Sequence, residues 1–489
     1  MRTNKNLMVA IIGILLFSAA LFGEAIISDL SIAPNYSEQQ PSQTWHGLLY
    51  RNEFPVIYAI WLSIFVALFA AAGFAIIEKR ASNNSRRSLA PSSYPLSPRV
   101  HMARTRGVFE GEITVTVLIP AHNEAGILTT TLPMLQSQSR KPDRIIVVAD
   151  NCTDKTVEIA RTFGVEIFET VDNQKQKGGA LNQALEILLP GLGNNDIVMI
   201  MDADTSLDAG FIEPAVERFR DDRGIMAIGG IFKGYPGGGI LGLFQRNEYD
   251  RYEQKINRRR GQVFVLTGTS TMFRSVALKT VAKSRGTVIE GIPGDVYDTL
   301  SLTEDNELTL ALKTLGALME SPRSCVVHTE LMPTWRYLWK QRMRWQRGAI
   351  ENIGTYGMTP ATFRYWGQQL GIGYGVLALN SFIAMQVITF LSLEDWIWYP
   401  FWTGIGLLFI FERVYSVRHS GWQAMLLAAT LIPELLYEMF LQAVFVNSMI
   451  DITFNRKANW GHVDHERAAR RHFRIKKLEQ KVPHGKHRS

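Results

Sequence analysis

An α/β domain with a mostly parallel sheet, flanked by apolar segments of membrane length, is the fold class predicted by three features of this chain. Short apolar runs without helical periodicity alternate with helical patterns between residues 113 and 201. Acidic and polar residues cluster where those runs end. Longer apolar segments lie on both sides of this region, several of them near the length that crosses a hydrocarbon core of about 30 Å.

The predicted strands are residues 113–120, 144–149, 165–171 and 196–201, and the helical patterns between them cover 125–138, 153–163 and 178–189. Strands that alternate with helices pair in parallel and carry helices on both faces. In such sheets ligands bind beyond the carboxyl ends of the strands. A further strand with a hydroxyl-rich loop is expected at Val265-Leu266-Thr267-Gly268-Thr269-Ser270-Thr271, and an amphipathic helix over 306–315.

The 489 residues, 46% of them hydrophobic, suffice for one such domain and several spans. Apolar runs at 7–27 and 54–77 predict an N-terminal hairpin. Further segments lie at 370–393, 396–411 and 424–450. The expected organisation is a hairpin (1–80), a Ser- and Pro-rich linker (81–110), a catalytic domain (111–332), interfacial helices (333–365), an apolar region (366–452) and a basic tail (453–489). Arg2 and Lys5 precede the first run, and Lys79, Arg80, Arg86 and Arg87 follow the second. Both ends of the hairpin, and the domain after it, are therefore expected on the cytoplasmic side. Pro433, Glu434 and Glu438 within 424–450 predict a re-entrant or interfacial segment there, with the tail also cytoplasmic.

The formal charge of +7 lies largely beside the apolar runs and in the tail. Anionic lipid headgroups account for that placement more simply than nucleic acid does. Cys152 and Cys325 both fall in the domain expected in the cytoplasm and are read as reduced.

Carboxylates mark three strand ends: Pro120-Ala121-His122-Asn123-Glu124, Asp150, and Asp202-Ala203-Asp204. Two acids at i and i+2 can direct one carboxylate to a hydrated Mg²⁺ or Mn²⁺ and the other toward a ribose or the same ion. Asp150 is either a turn acid or a contact to a nucleotide. Lys177-Gly178-Gly179 opens a helix where backbone N–H groups and one ammonium can approach phosphate. Asp305 is either a helix cap or a general base that takes the proton of an acceptor hydroxyl. Gln341, Arg344 and Trp345 lie at i, i+3 and i+4, hence on one helix face. Arg344 suits a diphosphate and Trp345 a pyranose ring, although three tryptophans on that helix also suit a headgroup-depth anchor.

In this order and spacing the motifs resemble the processive inverting glycosyltransferases of family two, which include cellulose, chitin, hyaluronan and poly-N-acetylglucosamine synthases. The resemblance covers roughly residues 114–348. It implies a nucleotide-diphospho-sugar transferase (GT-A type) fold inserted between transmembrane helices, a UDP-N-acetylglucosamine or UDP-glucose donor, a polysaccharide or lipid-linked acceptor, and location in a bacterial plasma membrane. It implies donor contacts from Pro120, Ala121, His122, Asn123, Glu124, Asp150, Lys177, Gly178, Asp202, Gln341 and Arg344. The metal falls to Asp204, the base to Asp305, and the acceptor to Thr267, Gly268 and Trp345. His122 stands where many relatives carry Tyr or Phe. Extension of a β-linked polysaccharide is the leading expectation, single transfer to a membrane lipid or other acceptor the alternative, and a degenerate scaffold the third reading.

Overall fold

The computed structural model describes residues 94–105, 113–258, 261–392, 400–418 and 420–456, with isolated helical positions between 57 and 76. The chain divides into two compact units, Met1–Arg87 with Asn380–Trp398, and Ser88–Leu379 with Tyr399–Ser489. The predicted spans at 7–27 and 54–77 and the tail beyond 456 lie outside the described residues, isolated positions apart.

In the second unit, helix α1 (Pro98–Thr105) is followed by β1 (Val115–Ala121), α2 (Ala125–Gln136), β2 (Arg144–Ala149), α3 (Thr156–Thr162), β3 (Glu166–Glu169), α4 (Gln176–Leu188) and β4 (Ile197–Met201). Next come β5 (Ser206–Leu207), α5 (Ile212–Asp221), β6 (Ile225–Gly229), β7 (Ile231–Gly234), α6 (Gly239–Arg258), β8 (Ser270–Arg274), α7 (Ser275–Ser284), α8 (Glu304–Thr314), β9 (Leu318–Glu320) and β10 (Val326–Thr329). The remaining described helices are α9 (Trp335–Tyr356), α10 (Phe363–Ser392), α11 (Pro400–Ser416), α12 (Trp422–Ala429) and α13 (Ile432–Thr453).

The main sheet has the order β3-β2-β1-β4-β8-β6-β9, with β8 antiparallel to both neighbours and the other pairings parallel. Alternate side chains of each strand enter opposite cores, as a period of two requires. Leu118, Val148, Val198 and Ile200 pack with α4, α7 and α8 on one face. Val117, Ile119, Val147, Met199 and Met201 pack with α2 and α5 on the other. A strand buried on both faces is predominantly apolar, which is why β4 reads as an uninterrupted run and β1 as one broken only by the buried Thr116. The register pairs Ala121 with Ala149 and Leu118 with Ile200, so the loops after β1, β2 and β4 leave the sheet side by side.

The predicted linker is not irregular throughout. Leu96 is buried and its N–H donates to Leu315 O, and Pro98 then opens α1. The helix expected from residue 153 begins at Thr156 instead, because Asn123 Oδ1 accepts from Thr153 N and Asp154 N and holds that stretch as a loop. No strand forms at 265–267. Leu266 N donates to Thr309 Oγ1 and Gly268 N to Asp305 Oδ2, so the backbone there is committed to α8, and the strand follows the loop as β8.

Helices α10 and α13 each contain a stretch long and apolar enough to cross a membrane, Phe363–Val387 and Ile432–Thr453. Leu370, Tyr374 and Leu377 on α10 are exposed, and so, in the first unit, are Phe382, Met385 and Leu391. The segment expected over 424–450 is two helices with a break at Thr430-Leu431, where Leu431 takes φ +47° and Pro433 starts the second. Glu434 is buried there against Arg251 of α6 and Arg413 of α11. Its charge is thus met by the unit that contains the sheet.

Candidate active site

Asp150, at the end of β2, is buried and accepts three hydrogen bonds on Oδ1: from Thr170 Oγ1 (2.8 Å), Asn173 Nδ2 (2.8 Å) and Asn151 Nδ2 (3.2 Å). His122 Nδ1 lies 2.6 Å from Asp150 O, which joins the loops after β1 and β2. Asn123 and Asn151 both take positive φ, a conformation that short polar side chains tolerate best. Asn173 also fixes the start of α4. Its Oδ1 accepts from Lys175 N, and a Cβ on Gly179 would lie 2.2 Å from that oxygen. Only glycine lets α4 approach this closely.

Lys177, in the first turn of α4, places Nζ 2.5 Å from Asp202 Oδ1 and 3.6 Å from Glu304 Oε1. Burial disfavours its charge, but Asp202 and Glu304 outweigh that, and its pKa is raised. One lysine therefore bridges the end of β4 to the start of α8. Around Asp204 the balance runs the other way. Burial, then Asp202 and Glu330, push its carboxyl up to about 7. Burial, then Asp204, Asp202, Glu330 and Asp154, push Glu124 up to about 8. Glu330 follows β10 and was not among the residues expected from sequence. An acid placed directly after a short strand, as Asp202 is, was the signal available, although the strand before Glu330 includes His328 and Thr329.

Such mutual repulsion fits a divalent cation. Among the described residues no group of three His, Cys, Asp or Glu is arranged to enclose an ion. That is compatible with an Mg²⁺ or Mn²⁺ site, which uses one or two carboxylates and completes its shell with phosphate oxygens and water. Asp204, with Asp202 beside it, would hold it.

Asp305 lies in the first turn of α8. Its Oδ2 accepts from Gly268 N (3.0 Å) and its Oδ1 from Asn306 N (2.8 Å), so the Thr267-Gly268 loop and the proposed base are in direct contact. Burial first, then the neighbouring Glu304, raise this carboxyl to about 6. Lys177, Thr267, Gly268, Tyr297, Glu304 and Asp305 line one small cavity. A base whose pKa lies just below neutrality is mostly ionised at pH 7 yet still accepts a proton readily.

Helix α9 begins at Thr334, whose Oγ1 accepts from Tyr337 N as an N-cap. It docks on the Thr303-Glu304-Asp305 turn. Asn352 Nδ2 reaches Thr303 O (3.3 Å) and Asn306 Oδ1 (3.1 Å), and Ser301 Oγ donates to Asn352 Oδ1. Gly348 packs so close that a Cβ would lie 2.4 Å from Thr303 Oγ1. Gln341, Trp345, Gly348 and Asn352 follow helical spacing, so the Gln-x-x-Arg-Trp stripe continues into the face that meets this turn. Arg344 and Trp345 are exposed, while Arg342, just before them, is buried. Gly348→Ala is expected to force α9 away from Thr303, an overpacking of about 1–3 kcal/mol, and to lower the turnover rate while the fold persists. Circular dichroism and initial rates, measured together, check this.

The family model for glycosyl transferase family 2 matches residues 116–282. Poly-beta-1,6-N-acetyl-D-glucosamine synthase of Staphylococcus aureus is 26% identical over 243 residues, 48% of this chain and 55% of that protein. Probable glycosyltransferase YdaM of Bacillus subtilis is 28% identical over 245 residues, 48% of this chain and 54% of that protein. The chain spans about half the length of these curated relatives. Among solved structures, the mannosyltransferase PcManGT of Pyrobaculum calidifontis, in complex with GDP-Man and Mn2+, aligns with a TM-score of 0.46 at 16% identity, covering 79% of this chain and 99% of that one. The strand-end carboxylates of β1, β2 and β4 all fall within the matched segment, and the chain carries a glycosyl transferase family 2 domain homologous to that of poly-beta-1,6-N-acetyl-D-glucosamine synthase.

Proposed function

We propose that this glycosyltransferase is a membrane-embedded, inverting enzyme that extends a β-linked polysaccharide from UDP-N-acetylglucosamine or UDP-glucose. The observation that carries the reading is the meeting of Asp305 with the Thr267-Gly268 loop, on a turn against which α9 and its Gln-x-x-Arg-Trp stripe are docked. Asp150 and Asp202 would hold the nucleotide, with Pro120 to Glu124, Lys177 and Gly178 around it. A divalent cation, when bound, supplies positive charge for the departing diphosphate. Gln341 and Arg344 would contact the diphosphate, and Trp345 would stack on the terminal sugar of the acceptor. Asp305 takes the proton of the acceptor hydroxyl as that oxygen bonds to the anomeric carbon and the bond from that carbon to the diphosphate breaks. Helices α10 and α13 and the exposed apolar side chains of α10 support a bilayer setting, and the Lys and Arg residues beside the apolar runs favour a cytoplasmic catalytic domain and tail.

Nucleoside-diphosphate release by the full chain in lipid nanodiscs, across a panel of UDP- and GDP-sugars with Mn²⁺ or Mg²⁺, tests this reading. One preferred donor and a long, glycosidase-sensitive product are expected. Release that yields only singly glycosylated lipid would instead establish the non-processive alternative. Chelation with EDTA is expected to abolish release and added Mn²⁺ to restore it. Asp204→Asn should lower kcat/KM by about 10²-fold or more, given the several kcal/mol that a metal contributes to charge stabilisation.

A further inference from the structure

Inside the Gln-x-x-Arg-Trp stretch, Arg342 has a setting unlike that of its neighbours. It is 5% exposed, although it carries a charge. Its Nη1 donates to Gln341 Oε1 at 2.7 Å, its Nη2 to Glu248 Oε2 of α6 at 2.9 Å, and its guanidinium lies 4.4 Å from the centre of the Trp345 ring. Tyr437 of α13 donates to the same Glu248 oxygen at 2.7 Å. One turn along α6, Arg251 pairs with Glu434, so two consecutive polar links join α6 to the first turns of α13. A buried guanidinium loses much of its hydration and is retained only where its partners are fixed. Here those partners are two of the three named residues of the Gln-x-x-Arg-Trp motif, together with an anchor on two other helices.

We propose that Arg342 is a positioning residue, anchored by Glu248 and Tyr437, that sets the orientation of Gln341 and the ring plane of Trp345. The consequence for catalysis rests on the assignment of Trp345 to the acceptor; the positioning itself does not. Arg is suited to the task because its planar fork reaches Gln341 and Glu248 at once while its face lies over the indole, which a lysine cannot do. Through Glu248 the same guanidinium connects the site to the apolar helix α13.

Fluorine NMR of the full chain labelled with 5-fluorotryptophan, in nanodiscs, tests this without relying on activity. The Trp345 resonance is assigned by its disappearance in Trp345→Phe. Arg342→Met is expected to displace or broaden that resonance and leave those of tryptophans remote from α9 in place. Glu248→Ala should displace it in the same sense, and Glu248→Gln, which keeps the acceptor oxygen, should not. An unmoved Trp345 resonance in Arg342→Met overturns the proposal. If that variant unfolds, an unmoved resonance in Glu248→Ala overturns it equally. In UDP release from UDP-N-acetylglucosamine with Mn²⁺, Arg342→Met should cut kcat/KM about tenfold or more, yet less than twofold in a Trp345→Phe background, because residues acting through one another are not additive. A displaced resonance with Trp345→Phe fully active would uphold the positioning and refute the acceptor role of Trp345.

Discussion

Asp305→Asn is expected to lower kcat by about 10²–10⁴-fold, the usual contribution of a positioned general base. An amide fills the same space, but its single oxygen can accept from Gly268 N or from Asn306 N and not from both, so a modest stability loss of about 1–3 kcal/mol is expected for the donor left without an acceptor, with the fold retained. The pH profile supplies an independent check. Asp305 is held up to about 6 by burial and by Glu304. The base works only when deprotonated, so the wild-type rate should be level above that value and fall tenfold per unit below it. The Asn variant should lose this limb and keep a low, flat rate. Full activity in Asp305→Asn would remove the carboxylate from the role of base.

Glu307→Ala is expected to cause the largest loss of stability. Arg285 and Glu307 form a two-pronged pair (2.5 and 2.7 Å) with side-chain exposures of 0% and 2%. Tyr356 donates to Glu307 Oε1, and Arg285 reaches Glu290 O and Val296 O. The cluster thereby fastens α7, α8 and the end of α9. Removing the carboxylate leaves a buried guanidinium without its counter-charge, which costs about 3–5 kcal/mol. For a domain of this size that corresponds to a fall of roughly 6–20 °C in unfolding midpoint. Arg144 and Glu166 provide the control, with the same two-pronged geometry (2.8 and 2.7 Å) but exposures of 44% and 52%. Glu166→Ala should cost less than about 1 kcal/mol, because water and salt screen such a pair. Equal losses in the two variants would contradict the argument from burial.

The contrast between these pairs also shows what a sequence can and cannot convey. Ile197 to Met201 is legible as a central strand because five consecutive apolar residues end on an acid, and the D-x-D turn at its end follows from the same observation. Val265 and Leu266 have the letters of a strand, yet their loop is pinned by Thr309 and Asp305, partners some 40 residues away. Local pattern carries no trace of such a contact. Arg342 was hidden for a similar reason. Spacing puts it at i to the i+3 of Trp345, within reach of that ring, but only the packing of α6 and α13 decides that it is buried. Glu434 and Pro433 did mark the segment near residue 430 as unlike a simple span. The break at Leu431 and the pairing with Arg251 and Arg413 give the physical cause.

The most direct test of the central claim is the length of the product made by the purified full chain in nanodiscs, given labelled UDP-N-acetylglucosamine and Mn²⁺ and then a large excess of unlabelled donor. An enzyme that keeps its acceptor stacked at Trp345 should continue to lengthen the labelled chains after the chase, yielding long polymers while most acceptors remain untouched. Labelled products that stop at one sugar, spread evenly over all acceptors, would contradict the polymerase reading and leave a family-two transferase that releases its product after every turnover.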